Sequence, residues 1–248
     1  MTNCPEATST PSDPRAWLAA ATVDAAVFHL RPDYRAVLLT ADGLRGGPTD
    51  ATSDRILTDA EATARRLLTG RAPEQLPHPA AWRDAYRAFG AKPQRTRPSV
   101  EALLRRLQPD GLPRIDRITD VYNAVPIAHL LPIGGEDRLA YSGPARLVRA
   151  EGTEPFDTTA DGEPVVEHPE PGEVVWRDGS GVTCRRWNWR QGSRTRITTE
   201  TSSAVFILDA LGPFTDDAVH AAADALTDGL LALSPDATVH RRLLGRPA

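Results

Sequence analysis

Side chains able to bind a polar ligand are concentrated between Cys184 and Gln191, where eight residues include two tryptophans, three arginines and one asparagine. The chain as a whole is only 6% aromatic. As a β-strand, the segment would place Arg185, Trp187 and Trp189 on one face and Cys184, Arg186, Asn188 and Arg190 on the other. Such a strand would anchor itself by its rings and direct guanidinium and amide groups at a ligand. An ordinary strand with buried tryptophans and surface arginines explains the same residues, because aromatic side chains favour strands.

Metal and nucleotide chemistry lack their usual sequence signals. The six histidines are scattered without H-E-x-x-H spacing, and the two cysteines, Cys4 and Cys184, form no CxxC pair. No glycine-rich phosphate loop or dinucleotide fingerprint occurs, so we expect neither a metal nor a cofactor. Cys184 as a nucleophile would need a histidine supplied by the fold, and a strand cysteine is more often buried and inert.

The remaining polar candidates lie near glycines or at the ends of predicted strands. They are Asn123, Glu136, Asp137, Arg186, Asn188, Thr198, Thr199, Glu200, Thr201 and Asp209. The pair Gly134-Gly135 permits a close backbone approach beside two carboxylates. Together these residues describe a polar pocket without an obvious strong base.

Charge is segregated along the chain, whose formal net charge is -4. Residues 81–117 hold nine basic and four acidic side chains, and residues 176–197 hold six arginines and one aspartate, whereas residues 150–175 hold eight acids and no Lys or Arg. Such a distribution permits a positive nucleic-acid-binding surface on an acidic protein. Solvated helix faces that pair across the fold explain it equally well.

A basic loop between prolines, residues 90–98, carries Lys92, Arg95 and Arg97. Its prolines exclude an ordinary helix. The three cations are suited to binding phosphate groups. A solvated connector remains the alternative.

Hydrophobic periodicity predicts the elements that would position these residues. Helices are predicted from Thr58 to Gly70, from Pro77 to Gly90 with Trp82, Tyr86 and Phe89 on one face, from Pro98, over Asp116–Leu131, and from Thr215. Strands are predicted over 25–30, 35–40, 145–149, 174–177, 182–189, 195–199 and 203–210. The acidic segment 150–172 is predicted to be a loop.

These elements predict an α+β fold, a single domain over residues 15–248 with mixed β-sheets flanked by helices, after a disordered tail at 1–14. No apolar run is long enough to span a bilayer, and no signal segment begins the chain. Two cysteines do not suggest a disulfide-stabilised secreted protein. We therefore expect a cytoplasmic protein.

The order of several segments resembles that of a known family. These segments are Val121-Tyr122-Asn123-Ala124-Val125, Leu131-Pro132-Ile133-Gly134-Gly135-Glu136-Asp137, Gly172–Trp176 leading into Cys184–Gln191, Thr199-Glu200-Thr201 and Phe206-Ile207-Leu208-Asp209. Between about Ala81 and Leu233 the chain resembles a freestanding B3/B4 domain, the tRNA-editing module of the phenylalanyl-tRNA synthetase beta subunit.

The resemblance implies an α+β fold that binds the aminoacylated 3′ end of tRNA and hydrolyses the ester of a wrongly attached amino acid. It implies a pocket lined by Asn123, Tyr122 and the acidic Asp209. This chain has Gly134 where the synthetase pattern has a histidine, Asp209 where it has glutamate, and Tyr122 where threonine is common. The amino acid removed therefore stays open.

The resemblance also suggests roles for the polar residues. Asn123, with the backbone at Gly134 and Gly135, would orient the ester carbonyl, while Asp209 with Thr199 or Glu200 would hold the water. The substrate-binding set is expected to be Tyr122, Gly134, Gly135, Glu136, Arg186, Trp187 and Asn188. The tRNA phosphates are expected to meet Lys92, Arg95, Arg97 and Arg190.

Three functions remain open from the sequence. The first is an aminoacyl-tRNA deacylase that acts in trans as an editing hydrolase. The second is a non-catalytic module of the same fold that binds tRNA or an amino acid, because kinship of fold does not settle activity. The third is hydrolysis of another small acyl ester or amide without nucleic acid.

Overall fold

The structure is a computed structural model that describes residues 13–107 and 110–246. Its helices are α1 (Pro14–Ala20), α2 (Ala25–Leu30), α3 (Ala51–Leu67), α4 (Pro77–Ala88), α5 (Ser99–Arg106), α6 (Arg117–His129) and α7 (Asp216–Leu233). Its strands are β1 (Thr22–Val23), β2 (Arg35–Asp42), β3 (Ile133–Asp137), β4 (Arg146–Arg149), β5 (Phe156–Ala160), β6 (Glu163–Glu167), β7 (Val174–Arg177), β8 (Val182–Arg185), β9 (Arg190–Gln191), β10 (Ser203–Ala210) and β11 (Thr238–Gly245). The α+β class predicted from the sequence is confirmed.

Two main sheets organise the described residues. One is antiparallel and has the strand order β11-β2-β10-β3, and the other has the order β1-β4-β7-β8-β9. Strands β5 and β6 form a separate two-stranded hairpin. No described helix is long and apolar enough to cross a membrane.

Strand β10 is buried on both faces and separates two hydrophobic clusters. Ala204, Phe206 and Leu208 pack with residues of α6 and α7. Val205 and Ile207 pack on the other side, with Trp176 of β7 and other residues of the second sheet. Because side chains alternate along a strand, Asp209 belongs to this second face and points between the sheets.

Capping side chains start the helices next to these sheets. Asp50 and Ser53 form a reciprocal capping box at the start of α3, and Asp116 accepts a hydrogen bond from the Thr119 amide at the start of α6. Thr215 caps α7, as the sequence predicts. The predictions that α4 begins at Pro77 and that α5 follows Pro98 are also confirmed.

Several sequence-based element predictions were wrong. Residues 25–30 are a helix rather than a strand, because Asp24 caps a segment too short for its hydrophobic period to be decisive. Helix α3 begins at Ala51 rather than at Thr58, because the capping box of Asp50 starts it about two turns earlier. The disordered tail predicted over 1–14 was wrong for its last two residues, because Asp13 caps helix α1, which begins at Pro14. Residues 1–12 lie outside the described ranges.

The remaining differences concern the β-rich part. The segment 150–172, predicted to be a loop, contains the β5–β6 hairpin. The strand predicted over 195–199 is reduced to one bridge between Arg196 and Glu136. Strand β11 was not predicted, because its burial is sparse and depends on pairing with β2. The single-domain boundary at 15–248 stays a prediction.

A buried imidazole connects helix α4, the end of α6 and the end of β10. The His78 ring donates from Nδ1 to the Leu130 carbonyl at 2.9 Å, and its Nε2 accepts from the Trp82 indole and the Leu211 amide, each at 3.1 Å. Burial lowers the pKa of His78 to about 4. The ring is therefore neutral at pH 7, as its acceptor role requires.

We expect His78→Gln to lower the free energy of unfolding at pH 7 by about 1–3 kcal/mol, because a flexible glutamine amide does not reproduce the ring's hydrogen bonds to the Leu130 carbonyl and to the Trp82 and Leu211 N–H groups. A folded-state pKa below the ordinary 6.5 stabilises the fold above pH 6.5, and this contribution is lost as the pH falls toward 4. The variant should therefore lose less stability than the wild type over that interval in urea unfolding. His168→Asn, an exposed control, should match the wild type. If the stability of His78→Gln fell between pH 6.5 and pH 4 as much as that of the wild type, the assignment of His78 as a buried neutral ring would be contradicted.

Candidate functional site

A cavity of about 70 Å³ lies between the two main sheets. A single water needs about 10–15 Å³ on this measure, so the cavity has room for several waters or a small ligand group. Its floor comes from β3 and β10, and the second sheet supplies much of its wall. It is lined by Ser99, Ile133, Gly134, Glu136, Trp176, Cys184, Trp187, Asn188, Trp189, Arg190, Gln191, Ile207 and Asp209.

The Asp209 carboxyl group is buried at one end of this cavity. The Tyr34 hydroxyl donates to Oδ1 at 2.6 Å, and the Asn188 amide donates to Oδ2 at a longer 3.4 Å. Burial raises the pKa of Asp209 to about 7, although the donors of Tyr34, Asn188 and the nearby Trp176 favour the charged form. A carboxyl group with this pKa exchanges its proton near neutral pH.

Asn188 is itself held by a second tyrosine. The Tyr86 hydroxyl of α4 donates to its Oδ1 at 2.9 Å, which leaves the amide nitrogen to face Asp209. Tyr34, Asp209, Asn188 and Tyr86 thus form one buried chain of hydrogen bonds. This chain joins helix α4 and both sheets at the cavity wall.

Three polar atoms of the lining have no hydrogen-bond partner among the described residues. They are the Trp176 and Trp187 indole nitrogens and the Ser99 hydroxyl. Both indoles are at most 1% exposed; Trp176 lies near Asp209 and Trp187 lies near the Tyr34 hydroxyl, each without reaching hydrogen-bond geometry. Buried donors are nearly always paired in folded proteins, so unpaired donors beside a cavity indicate a place for an acceptor atom of a ligand or a water.

A left-handed turn interrupts the strand predicted over 182–189. Arg186 and Trp187 have φ values of 47° and 68°, and β8 ends at Arg185. The Glu173 carboxylate accepts from the Arg185 guanidinium and from the Arg186 amide, which holds the turn. The predicted alternation of faces was wrong for this reason, and residues 187–191 all line the cavity.

Cys184 lines the cavity but is unsuited to nucleophilic attack. Burial raises the pKa of the thiol well above its ordinary value, with further contributions from the charges of Glu136 and Asp209. The neutral thiol predominates under these conditions, whereas the thiolate is the nucleophile. In residues 13–107 and 110–246, no three His, Cys, Asp or Glu side chains are grouped to hold a metal ion.

A second depression, the arginine groove, adjoins the cavity through Trp189. It is lined by Arg95, Arg97, Ala102, Arg105, Arg106 and Trp189. Arg97 and Arg105 form ion pairs with the buried Glu101. Arg186 lies over the Trp189 ring, with its guanidinium carbon 4.5 Å from the ring centroid. The groove therefore combines cations with an aromatic ring at the entrance to the cavity.

The structure brings together about half of the residues predicted to form the site. Gly134, Glu136, Trp187, Asn188, Arg190 and Asp209 line the cavity, and Arg95 and Arg97 line the groove. Arg186 stacks beside the cavity on Trp189, and Lys92 is exposed on the loop without lining either depression. The sequence-based hypothesis requires Asn123, Gly134 and Asp209 to line one cavity with a basic rim, and of these three the cavity contains Gly134 and Asp209 but not Asn123.

Other predicted residues lie elsewhere. The Tyr122 ring packs on Phe206, and a Cβ on Gly135 would meet both rings at 3.0 Å, so these residues lie on the helical side of the β10 sheet. Asn123 is half-buried on the same helix, α6, and does not line the cavity.

Thr199 and Glu200 are exposed beyond the start of β10. Asp209 lies near the other end of that strand, about 20 Å from Ser203 by the rise of a β-strand. The structure therefore does not bring Thr199 or Glu200 to the carboxyl group with which they were expected to share a water.

Several cavity residues were not predicted from the sequence as site residues. They are Ser99, Trp176 and Gln191, together with Tyr34 and Tyr86 behind the wall. Gln191 ends the Cys184–Gln191 segment that the sequence singles out, and Trp176, in a short apolar strand before it, gave the signal of a buried ring. The tyrosines gave none, because their hydroxyls meet the site only through hydrogen bonds that span 175 and 102 residues of chain.

Comparison with known families identifies the fold that contains this cavity. A family model described as the B3/4 domain matches residues 81–228, more than half of the chain. The chain belongs to the B3/4 domain family. The resemblance recognised in the sequence is thereby confirmed, and the matched range includes all of the cavity lining.

Among solved structures, the chain is similar to an N-terminal fragment of the phenylalanyl-tRNA synthetase beta subunit from Pyrococcus horikoshii. The identity is 14% and the TM-score is 0.45, with 91% of this chain and 54% of that chain covered. This B3/4 domain protein thus spans about half the length of that fragment. No curated protein matches the sequence.

The raised pKa of Asp209 predicts that the stability of the fold depends on pH. An acid whose folded-state pKa is about 7, against an ordinary 3.8, favours folding most below pH 3.8 and loses that contribution as the pH rises through 7. The wild-type protein should therefore lose about 2–3 kcal/mol from this group between pH 5 and pH 8.

We expect Asp209→Asn to remove most of that loss, measured as the difference between urea unfolding free energies at the two pH values. The exposed control Asp224→Asn should keep the wild-type difference. A variant at Asp209 with an unchanged pH dependence would show that this carboxyl does not titrate near neutrality.

Proposed function

We propose that this B3/4 domain protein is an aminoacyl-tRNA deacylase that acts in trans and removes a wrongly attached amino acid. The observation that best supports this is the position of the buried Asp209 carboxyl, in a cavity that meets an arginine groove at Trp189. The cavity suits an acyl group, and the guanidinium groups suit the phosphates of a tRNA 3′ end. A separate hydrolytic pocket adds selectivity where binding alone discriminates weakly between similar amino acids.

Asp209 is the proposed general base. In its ionised form it takes a proton from a water that attacks the ester carbonyl carbon. The same proton passes to the ribose oxygen as the carbon–oxygen bond breaks, which yields the free amino acid and a restored terminal hydroxyl. An aminoacyl ester is already activated, so positioning of water and carbonyl contributes more than a strong base would.

Unpaired donors of the lining suit the negative charge that develops on the carbonyl oxygen. The Ser99 hydroxyl and the indole N–H groups of Trp176 and Trp187 have no partner in the described residues. A preorganised donor stabilises an oxyanion without the cost of reorienting water. Asn188, fixed by Tyr86, would orient either the substrate or the attacking water.

Asn123, Thr199 and Glu200 are not part of this mechanism, because they do not line the cavity. Their expected catalytic roles stay predictions that alanine variants can test. The proposed set is Asp209 as base, Asn188 with Gly134 and Trp187 at the substrate, and Arg95, Arg97 and Arg190 at the nucleic acid.

A non-catalytic module that binds tRNA or an amino acid is the second candidate. Its support is Gly134, which stands where the synthetase pattern has a histidine. A Cβ at this position would lie 3.2 Å from the Gln191 amide nitrogen, so any larger residue here would have to displace that side chain. Turnover separates this candidate from the deacylase.

We expect the purified protein to hydrolyse at least one member of a panel of mischarged tRNAs. With that substrate, kcat/KM should rise through about pH 7 as Asp209 ionises, and Asp209→Asn should lower it about 100-fold or more. Asp224→Asn is the matched control. Binding of tRNA without hydrolysis anywhere in the panel would favour the binding module.

Arginines of the groove should set tRNA affinity and its dependence on salt. We expect Arg95→Ala and Arg106→Ala each to weaken binding and to reduce the slope of log K against log salt by about 0.7 for each phosphate that the variant no longer neutralises. The exposed Arg55 of α3 provides an Arg→Ala control. An affinity that does not depend on salt would exclude tRNA and leave hydrolysis of a small ester as the alternative.

A further inference from the structure

A second carboxylate lies in the cavity at the end opposite Asp209. Gly134 of β3 and Ile207 of β10 face each other in register on the floor. Glu136 follows Gly134 by two residues, and Asp209 follows Ile207 by two residues on the antiparallel strand. The two acids are thus separated along the strands by about 13 Å at their α-carbons, with the floor pair between them.

Glu136 is 1% exposed, and among the described residues only uncharged donors surround its carboxyl. They are the Tyr141 hydroxyl and, close enough to favour the charged form, the hydroxyls of Thr183 and Thr195. The Tyr141 hydroxyl donates to Oε2 at 2.5 Å and also lies 3.3 Å from the Thr183 hydroxyl. Within the described ranges no Lys, Arg or His group is within ion-pairing distance of Glu136. Burial raises the pKa of this carboxyl.

The guanidinium of Arg190, a residue of the lining, is directed at the β5–β6 hairpin and not at the two acids. Arg190 donates to the Thr159 carbonyl at 3.1 Å and lies 3.7 Å from Glu167, so the β5–β6 hairpin holds its guanidinium. The cavity therefore contains two acids and no cation committed to them among the described residues. A buried carboxylate needs a paired cation or a proton, and a ligand that enters the cavity can supply the cation.

An unpaired donor of the lining suits an acceptor on the same ligand. The Ser99 hydroxyl lines the cavity without a hydrogen-bond partner in the part of the chain that the structure describes. The indole N–H groups of Trp176 and Trp187, by contrast, lie near the Asp209 carboxyl and the Tyr34 hydroxyl, respectively. A group with an ammonium and a carbonyl oxygen in close proximity satisfies both requirements. Every unmodified aminoacyl ester carries its α-ammonium one carbon away from the carbonyl.

We propose that Glu136 binds the free α-ammonium group of the aminoacyl moiety, so that the site accepts unmodified aminoacyl esters and rejects N-acylated ones. This inference rests on the proposed function. The ammonium lies toward Glu136, and the carbonyl carbon is presented toward the water at Asp209. Glu136 is then a specificity residue of the site, separate from the base.

The test uses uncleavable analogues of the aminoacylated terminus, in which an amide replaces the ester on 3′-amino-3′-deoxyadenosine. Alanyl and phenylalanyl versions are each made with a free amine and with an N-acetyl group, and dissociation constants are measured by calorimetry at pH 7.5. We expect the free amine of at least one version to bind about 10- to 100-fold more tightly, as for a hydrogen bond to a charged group.

Glu136→Gln should reduce that preference to within about threefold of unity while binding of the N-acetyl form changes little. The matched control is Glu154→Gln, a buried acid outside the cavity that accepts from the Glu151 and Gly152 amides. It should keep the wild-type preference. If Glu136→Gln does not fold, Tyr141→Phe keeps the carboxyl and should retain the preference for the free amine.

Equal affinities for the free and acetylated analogues, or no binding of either, would overturn the ammonium site whether or not the protein hydrolyses aminoacyl-tRNA. A preference for the free amine that persists in Glu136→Gln would also overturn it. A preference that depends on Glu136, in a protein without deacylase turnover, would support the ammonium site and contradict only the proposed hydrolysis.

Discussion

The structure depends on keeping the Asp209 carboxyl in the gap between two sheets. Tyr34 donates to one of its oxygens and Asn188, held by Tyr86, donates to the other. Because these residues come from both sheets and from α4, the same hydrogen bonds that satisfy the acid also fix the cavity walls. Burial with neutral donors, rather than with a cation, brings its pKa to about 7.

The turn at Arg186 and Trp187 makes the cavity polar on one side. Two left-handed residues are costly, and the buried Glu173 stabilises them by accepting from the adjacent arginine and amide. A continuous strand would have sent alternate side chains away from the gap. With the turn, Asn188, Trp189 and Arg190 all reach it, and Trp189 connects the cavity to the arginine groove.

The sheet formed by β10 and β3 separates two kinds of chemistry. On its helical side, Tyr122, Gly135 and Phe206 form an apolar contact in which glycine leaves room for the rings. On its other side, Gly134 and Ile207 form the floor between two acids. Neighbouring residues on one strand therefore have unrelated roles, as the period of two in a strand requires.

Local sequence determined the α+β class, the strand at 203–210 and the helices after Pro77, Pro98 and Thr215, and the family resemblance led to the expectation that Gly134, Asn188 and Asp209 share one pocket. Each of these has a signal within a few residues, such as a cap, a period or a family motif. Only the tertiary structure decided that Asn123, Thr199 and Glu200 lie away from Asp209. It also decided the left-handed turn and the hydrogen bonds of Tyr34 and Tyr86, because these depend on partners from distant parts of the chain. A helix or strand propensity is set by near neighbours, whereas the side of a sheet that a residue occupies and the acceptor that it meets are set by packing. The chemistry of this cavity is accordingly a property of two sheets placed face to face.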